Sequence, residues 1–494
     1  MQEISRLEPQ WYHEDIRPAG IRMSFINKTI RGVLANRAVS SAYRRLLRRS
    51  PALQDALGMC LYRYRKRVLG QAKGAPPAEG WTLRDATGDG GNAQFLFDIS
   101  GIATSSDRTG VYRVVSSLWN ELTAAPPPGF SVQPVYVDAA GRLRYASAWS
   151  RRARGEGVTD APDPQVSARA GDLFFSADLY YPYPFDTLQR LREQGLRVIF
   201  TVHDLIPLSH PESFMKLSRT GLGEWLRGAV AIADGMVCVS RAVADELRAW
   251  VARYAAERHR PLPIGYFHHG ADLQADAPPA GWSAAEKQVL EACSSRPTFL
   301  MVGTLAPHKG HAQALDAFDL LREQGVDCNL VLVGKEGWRV QTLVDRLHRH
   351  PERGHRVFWT SNASDSLLTA LYGSCACLLA ASQAEGFGLP LIEAARHGLP
   401  IFARDIPVFR EVAGQHAFYF RGESPADLAC AMRDWLALRA SGQLPSSESL
   451  PWQTWQESAA QLLQVILGDR WYIPDACAAL DVRPPVLLAS GKGM

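Results

Sequence analysis

The stretch EGFGLPLIEAARHG, residues 385–398, sets two glutamates eight positions apart around two glycines, a proline and the start of an apolar run. Pro390 suits the first position of a helix, with its φ preset and no N–H to lose. Ile392, Ala395 and Arg396 continue that helix, and Gly398 is a natural stop. Leu389, just before the proline, cannot cap. First-turn amides without a side-chain partner, at the positive end of a helix, form an anion site. Gly386 and Gly388 allow close backbone approach to a ligand. Glu385 in the loop and Glu393 in the first helical turn flank that site. A ligand with phosphate at its centre and hydroxyls at both ends, such as a nucleotide sugar, matches this layout. The competing reading is a plain turn and a glutamate placed for helix-dipole reasons alone.

Outward from this stretch, the chain reads as repeated strand–helix units. PTFLMVG, NLVLVG, RVFWT, CACLLAAS, LPIFAR and AFYF are six short apolar runs separated by helical spacers. Upstream, AQFLFDIS, SVQPVYVD, DLFFSAD, RVIFTVHD, GMVCVS and PIGYFHHG show the same rhythm. Such alternation predicts mainly parallel sheets. Two doubly wound α/β domains are expected, meeting near ADAPPAGWS (275–283), with a ligand cleft at the carboxyl ends of their strands. The expected divisions are 1–90, a basic helical extension and linker; 91–280, an N-terminal domain; 281–450, a C-terminal domain; and 451–494, a crossing helix and tail. The 494 residues are too long for one core and suit this plan.

Composition narrows the class. A hydrophobic content of 46% with 21% charged residues is that of a globular protein, and no apolar run nears the ~20 residues that span a bilayer. The opening MQEISRLEPQW lacks a basic-then-apolar signal, so a cytoplasmic location is expected. The eight cysteines are scattered, and the closest two, Cys375 and Cys377, lie in a strand-like run too tightly spaced for a zinc knuckle. Residues 1–73 carry fifteen Lys/Arg against five Asp/Glu, so that against a net charge of +4 the remainder carries −6. This basic, partly amphipathic arm suits either an anionic membrane surface, making the protein peripheral, or packing on the main body. Nucleic acid is not expected, since no recognised binding module accompanies the charge.

EGFGLPLIEA, within the longer segment SDSLLTALYGSCACLLAASQAEGFGLPLIEAARHGLPIFARDIPVFREVAG (364–414), resembles the E-x7-E motif of retaining glycosyltransferases of the GT-B fold, family 4. The resemblance extends over roughly residues 92–467. It implies two Rossmann-like domains facing across a cleft and a nucleotide-sugar donor in the C-terminal one. It also implies a donor-sugar contact for Glu385, a ribose contact for Glu393, and diphosphate held by backbone amides of Gly386, Phe387, Gly388 and Leu389.

FLMVGTLAPHKGHAQALDAF (299–318) reads as a strand ending at Gly303, then a loop and a helix. Lys309 before that helix can reach a diphosphate as a point charge. In the resembling family the loop often reads EPRKN, so His308 stands where an arginine is usual. One fixed cation and one titratable group are therefore expected there, with donor affinity weakening above the histidine pKa. RVIFTVHDLIPLSHP (197–211) puts His203 and Asp204 at a strand's carboxyl end, a pair readable as a general base, a packed turn or, less readily, a metal site. By resemblance to HD-[LI]-x-P, His203 is expected near the donor sugar in a positioning and electrostatic role, with Asp204 structural. In FDISGIATSSDRTGVYRVVSSLWNEL (97–122), Thr109 can cap a helix buried through Val111, Val115, Leu118 and Leu122. By the resemblance Gly110 is an expected donor neighbour there, and Arg108 and Arg113 read equally as donor contacts or as surface charges. In GYFHHGADL (265–273), Asp272 is expected to order a turn, and in WQTWQESAAQLLQVILGDRW (452–471) a helix through Trp455, Ala459, Leu462, Leu463 and Ile466 is placed to cross back.

His203, Glu385 and Lys309 are thus the expected catalytic residues. No metal or cofactor is expected. The implied reaction moves a hexosyl, mannosyl-like group from a nucleoside-diphosphate sugar to a saccharide or lipid-linked acceptor in bacterial surface polysaccharide synthesis. Three other readings stand beside it: a non-catalytic nucleotide-sugar-binding partner of a transferase, a nucleotide-sugar epimerase sharing the two-domain plan, and a structural membrane arm acting through residues 1–73, which explains only the extension. GRLRYASAWSRRARGEGVTDAPDPQ (141–165) is expected as a mobile, acceptor-facing loop.

Overall fold

The computed structural model describes residues 55–56, 59, 92–104, 110–138, 141–153, 163–178, 183–254, 258, 260–272 and 281–477. Most of the basic arm, the 72–91 linker, Arg108, Thr109 and most of the inter-domain stretch lie outside these residues. Two sheets carry the fold. The first has seven strands: β1 (Ala93–Asp98), β2 (Phe130–Val137), β3 (Leu143–Tyr145), β4 (Leu173–Ser176), β5 (Arg197–Val202), β6 (Gly235–Cys238) and β7 (Ile264–Tyr266), ordered β3-β2-β1-β4-β5-β6-β7. Only β3 is antiparallel. The second has six, all parallel: β8 (Thr298–Val302), β9 (Asn329–Val333), β10 (Val357–Thr360), β11 (Cys377–Ala380), β12 (Ile401–Arg404) and β13 (Ala417–Phe420), ordered β10-β9-β8-β11-β12-β13. All twelve expected runs form strands. They read as unbroken apolar stretches because a parallel sheet is covered on both faces, as in β9, where every residue is buried.

β3 was not expected. It and a helix at Ser147–Ala153 lie in the segment read as a mobile loop. Arg144 anchors that ordered part, donating to Asp138 at 2.6 Å and to the Asp163 carbonyl at 2.6 Å. The pairing is tertiary, and three residues carry too little periodicity to show it.

Five helices matter for the site: α1 (Gly110–Ala124), α2 (Arg241–Tyr254), α3 (His311–Glu323), α4 (Asp365–Ser374) and α5 (Leu389–Arg396). Two more join the domains, α6 (Pro407–Ala413) and α7 (Trp455–Ile466). α1 buries Val114, Val115, Leu118 and Leu122, with Val111 only partly covered. α7 leaves the C-terminal body and packs in the core of the first sheet, Trp455, Leu462 and Ile466 sharing a cluster with Phe95, Phe97 and Phe175. Thr454 caps it through a reciprocal pair with Glu457, and the Trp455 N–H donates to Asp272 at 2.7 Å. Asp272 therefore does fasten its turn, through the crossing helix.

In each sheet the strand order reverses once, between β1 and β4 and between β8 and β11. Loops leaving neighbouring strands on either side of such a reversal diverge and open a crevice. Lys309 follows β8 and Glu385 follows β11, so topology alone brings them together.

Candidate donor site between the two domains

α5 begins one residue earlier than expected. Its N-cap is Gly388, at φ 96°, a left-handed conformation that a side chain would strain. No side chain caps the helix, as the sequence implied. The Leu391 N–H, however, is taken by the Gly388 carbonyl at 2.9 Å. An incoming anion would therefore meet the amides at the helix start, around Gly388 and Leu389, and not Leu391.

Lys309 and Glu385 form an ion pair at 2.5 Å, and Ser382 donates to the same Glu385 oxygen at 2.7 Å. Burial pushes the Glu385 pKa up, but the Lys309 charge and both hydrogen bonds more than offset it, leaving the carboxyl below its ordinary range. Lys309 closes a short 3-10 turn, and Gly310, at φ 76°, caps α3 immediately after it. β8 ends at Val302, one residue before the Gly303 expected to close it. A small cavity beneath the pair is lined by Lys309, His311, Ser382, Glu385, Gly388 and Phe409, among others.

Glu393 is 3% exposed. One of its oxygens accepts from Arg113 of α1, on the opposite domain, and the other from the Tyr372 hydroxyl of α4 at 2.7 Å. A buried carboxylate needs such partners. Burial and the Glu393 charge hold the Tyr372 hydroxyl well above its ordinary pKa, so it remains a donor. Tyr372 was not singled out in the sequence, where it reads as the last residue of an apolar helix face.

His203 and Gly386 meet across the domains. A Cβ on Gly386 would stand 2.0 Å from the His203 carbonyl oxygen, so only glycine fits. Ser240, also N-terminal, donates to the Gly386 carbonyl at 2.7 Å. The His203 Nε2–H donates to the Ala177 carbonyl at 2.8 Å, tying the end of β5 to that of β4. Burial lowers its pKa, with that carbonyl opposing, so the ring is neutral and Nδ1 is an acceptor. The geometry supports a positioning role and not a cationic one. Beside it Asp204 accepts from the Ile206 N–H at 3.0 Å, closing its own turn. Its pKa is raised to about 6, chiefly by burial, with the Glu385 charge adding to it.

One expected donor residue is placed otherwise. His308 is buried and stacked on Phe214, rings 5.1 Å apart, and on Trp338 at 6.0 Å. Burial, reinforced by the Lys309 charge, lowers its pKa to about 4. The expected titratable phosphate ligand is therefore a neutral member of an aromatic cluster. The Phe387 side chain is also buried, packed edge-on against His269 at 4.8 Å, so its ring wedges the domains together. Gly110, the first residue of α1, has open space where a Cβ would stand.

Residues 172–266 match the family model described as Glycosyltransferase Family 4, and residues 283–447 match Glycosyl transferases group 1. The chain belongs to the family 4 glycosyltransferases. The first match covers β4 to β7 of the first sheet, and the second covers all six strands of the second sheet. It is 40% identical over 380 residues to the serotype-specific mannosyltransferase WbdA of Escherichia coli, an alignment covering 75% of this chain and 46% of that protein. It is 25% identical over 253 residues to the O-antigen chain mannosyltransferase RfbU of Salmonella typhimurium, covering 50% and 62%. The chain thus spans just under half the length of WbdA. The GT-B fold is shared with sucrose-phosphate synthase from Thermosynechococcus elongatus, at TM-score 0.53, 16% identity, and coverage of 76% of this chain and 99% of that one. It is shared also with the catalytic domain of starch synthase IV from Arabidopsis thaliana, at TM-score 0.52, 13% identity, and coverage of 76% and 98%. Among the described residues no helix is long and apolar enough to cross a membrane.

Proposed function

We propose that this family 4 chain is a retaining mannosyltransferase, moving the sugar from a nucleoside-diphosphate donor to a hydroxyl of a saccharide or lipid-linked saccharide in surface polysaccharide synthesis. The observation carrying this reading is the pairing of Lys309 with Glu385 at 2.5 Å, beside the uncapped start of α5 and facing His203. The mannosyl and polysaccharide parts rest on the names of its relatives.

In this reading the bond from the anomeric carbon to the diphosphate oxygen breaks as the bond to the acceptor oxygen forms on the same face. The acceptor proton passes to a donor phosphate oxygen. Negative charge grows on the diphosphate, where the Lys309 ammonium and the helix-start amides lie already oriented. Glu385, ionised across the neutral range, orients the sugar hydroxyls. Neutral His203 fixes the cleft wall, and closure of the domains excludes water.

Melting temperatures with GDP, UDP, dTDP and ADP test the donor site. One nucleotide at a hundred times its dissociation constant should stabilise wild type by about 2.7 kcal/mol. Lys309→Ala and Glu393→Ala should abolish that shift. The matching sugar nucleotide should then yield a product with retained anomeric configuration. No shift with any of the four would overturn the donor reading. A shift without turnover on any acceptor would instead favour a non-catalytic partner.

A further inference from the structure

Both glutamates of the E-x7-E stretch are already engaged, each by a cation. Lys309 holds Glu385 from within the domain, and Arg113 holds Glu393 from across the cleft. The partners of the second pair differ in freedom. The Glu393 side chain is 4% exposed and fixed by Tyr372, whereas that of Arg113 is 33% exposed and sits in the first turn of α1.

Glu393 cannot give its full accepting capacity to ribose hydroxyls while Arg113 covers one oxygen. A guanidinium displaced from a carboxylate that takes ribose would be free to turn toward the phosphates joined to that ribose. The phosphates need it. Lys309 is a single charge, and the neighbouring rings cannot assist near neutrality, His308 titrating at about 4 and His311 at about 3, chiefly through burial. Guanidinium also matches phosphate oxygens in a two-point geometry that an ammonium lacks.

We propose that Arg113 is a donor-positioning residue that changes partner on binding, leaving the Glu393 carboxylate to the ribose and taking the diphosphate from the face opposite Lys309. This rests on the donor seating proposed above. It makes the N-terminal domain a supplier of phosphate charge, so that donor binding and domain closure reinforce each other. Asp365, 3.9 Å from the other guanidinium nitrogen, is the secondary tether that Arg113 also releases.

The test is calorimetric titration of the full chain and of Arg113→Gln and Arg113→Lys with GDP, UDP, dTDP and ADP, and with the four corresponding nucleosides in competition. For the diphosphate that wild type prefers, Arg113→Gln should weaken binding tenfold or more. Affinity for its nucleoside should stay equal or rise, because the competitor for Glu393 is gone. Arg113→Lys should recover part of the diphosphate affinity, and melting temperatures near wild type confirm that both variants fold. The proposal is overturned if Arg113→Gln binds the diphosphate within twofold of wild type, or if nucleoside and diphosphate weaken equally. Those outcomes leave the donor reading intact. If wild type binds none of the diphosphates, the donor reading and this inference fall together.

Discussion

His308 shows how a residue's position in the chain and its surroundings in the fold can disagree. Beside Lys309 it occupies a phosphate-facing position in sequence, yet its ring is 3% exposed between Phe214 and Trp338. Its folded pKa of about 4 lies below the 6.5 of a free histidine. The unfolded chain therefore binds a proton more readily between these values, and the stability this ring contributes is lost as pH falls from 6.5 toward 4. His308→Phe, which keeps an aromatic ring in the stack, should flatten the dependence of melting temperature on pH over that interval. A variant curve running parallel to wild type would contradict this account. The sequence held no sign of the burial, because Phe214 and Trp338 are distant from His308 along the chain. Glu385 and Glu393 were legible because their spacing around one helix start is local, and Lys309 because it precedes a helix at the end of its own strand. Of the partners that set their state, Ser382 lies in the same loop as Glu385, Tyr372 comes from α4 and Arg113 from the other domain, and of these only Arg113 was a candidate from sequence.

At the scale of elements, strands were read reliably because each is an apolar run covered on both faces, and the short antiparallel β3 escaped for want of such a run. Helix ends carry more of the function than helix interiors. α5 starts without a side-chain cap and α3 starts at a left-handed glycine, both beside Lys309. α2 is treated differently. Its first amides, Arg241 N–H and Ala242 N–H, donate to the Glu411 carboxylate at 2.7 and 2.8 Å. Glu411 belongs to α6 of the other domain and also accepts from the His268 ring at 2.7 Å. A carboxylate at a helix start is favoured by the helix dipole, so this cap doubles as a fastener between domains. Glu411→Ala should lower stability by about 1 kcal/mol. Denaturant titration measures this, and an unchanged midpoint would show that water replaces the cap without loss.

The domains of the whole molecule are held at several points around the cleft. Glu411 with α2 and Ser240 with Gly386 lie near the E-x7-E loop. Elsewhere the Trp338 Nε1–H donates to the Ser213 carbonyl at 2.9 Å, and Arg339 donates to the Phe214 carbonyl at 3.0 Å. Arg339 does so at φ 58°, a left-handed conformation costing of order 1–3 kcal/mol in a residue with a side chain. Such a conformation persists where its surroundings hold it, here the contact across the cleft. Trp338→Ala removes the hydrogen bond and part of the aromatic stack together. It should open the cleft, seen as a larger radius of gyration in solution scattering, with the nucleotide-free protein affected most. An unchanged radius would mean that the α2 and Gly386 contacts suffice for closure.

The path of α7 bears on how such a molecule is made. The N-terminal body is completed by residues 455–466, which are synthesised only after the entire C-terminal body. Until then Phe95, Phe97 and Phe175 lack part of their cover, and the contact that supplies it closes one of the longest loops in the chain. One core of the C-terminal body is drawn, among the described residues, from residues 299–435 alone, and can condense first as the ribosome delivers it. The earlier half of the chain thus matures last, and a nascent chain stalled before Thr454 would present a bare aromatic face to chaperones.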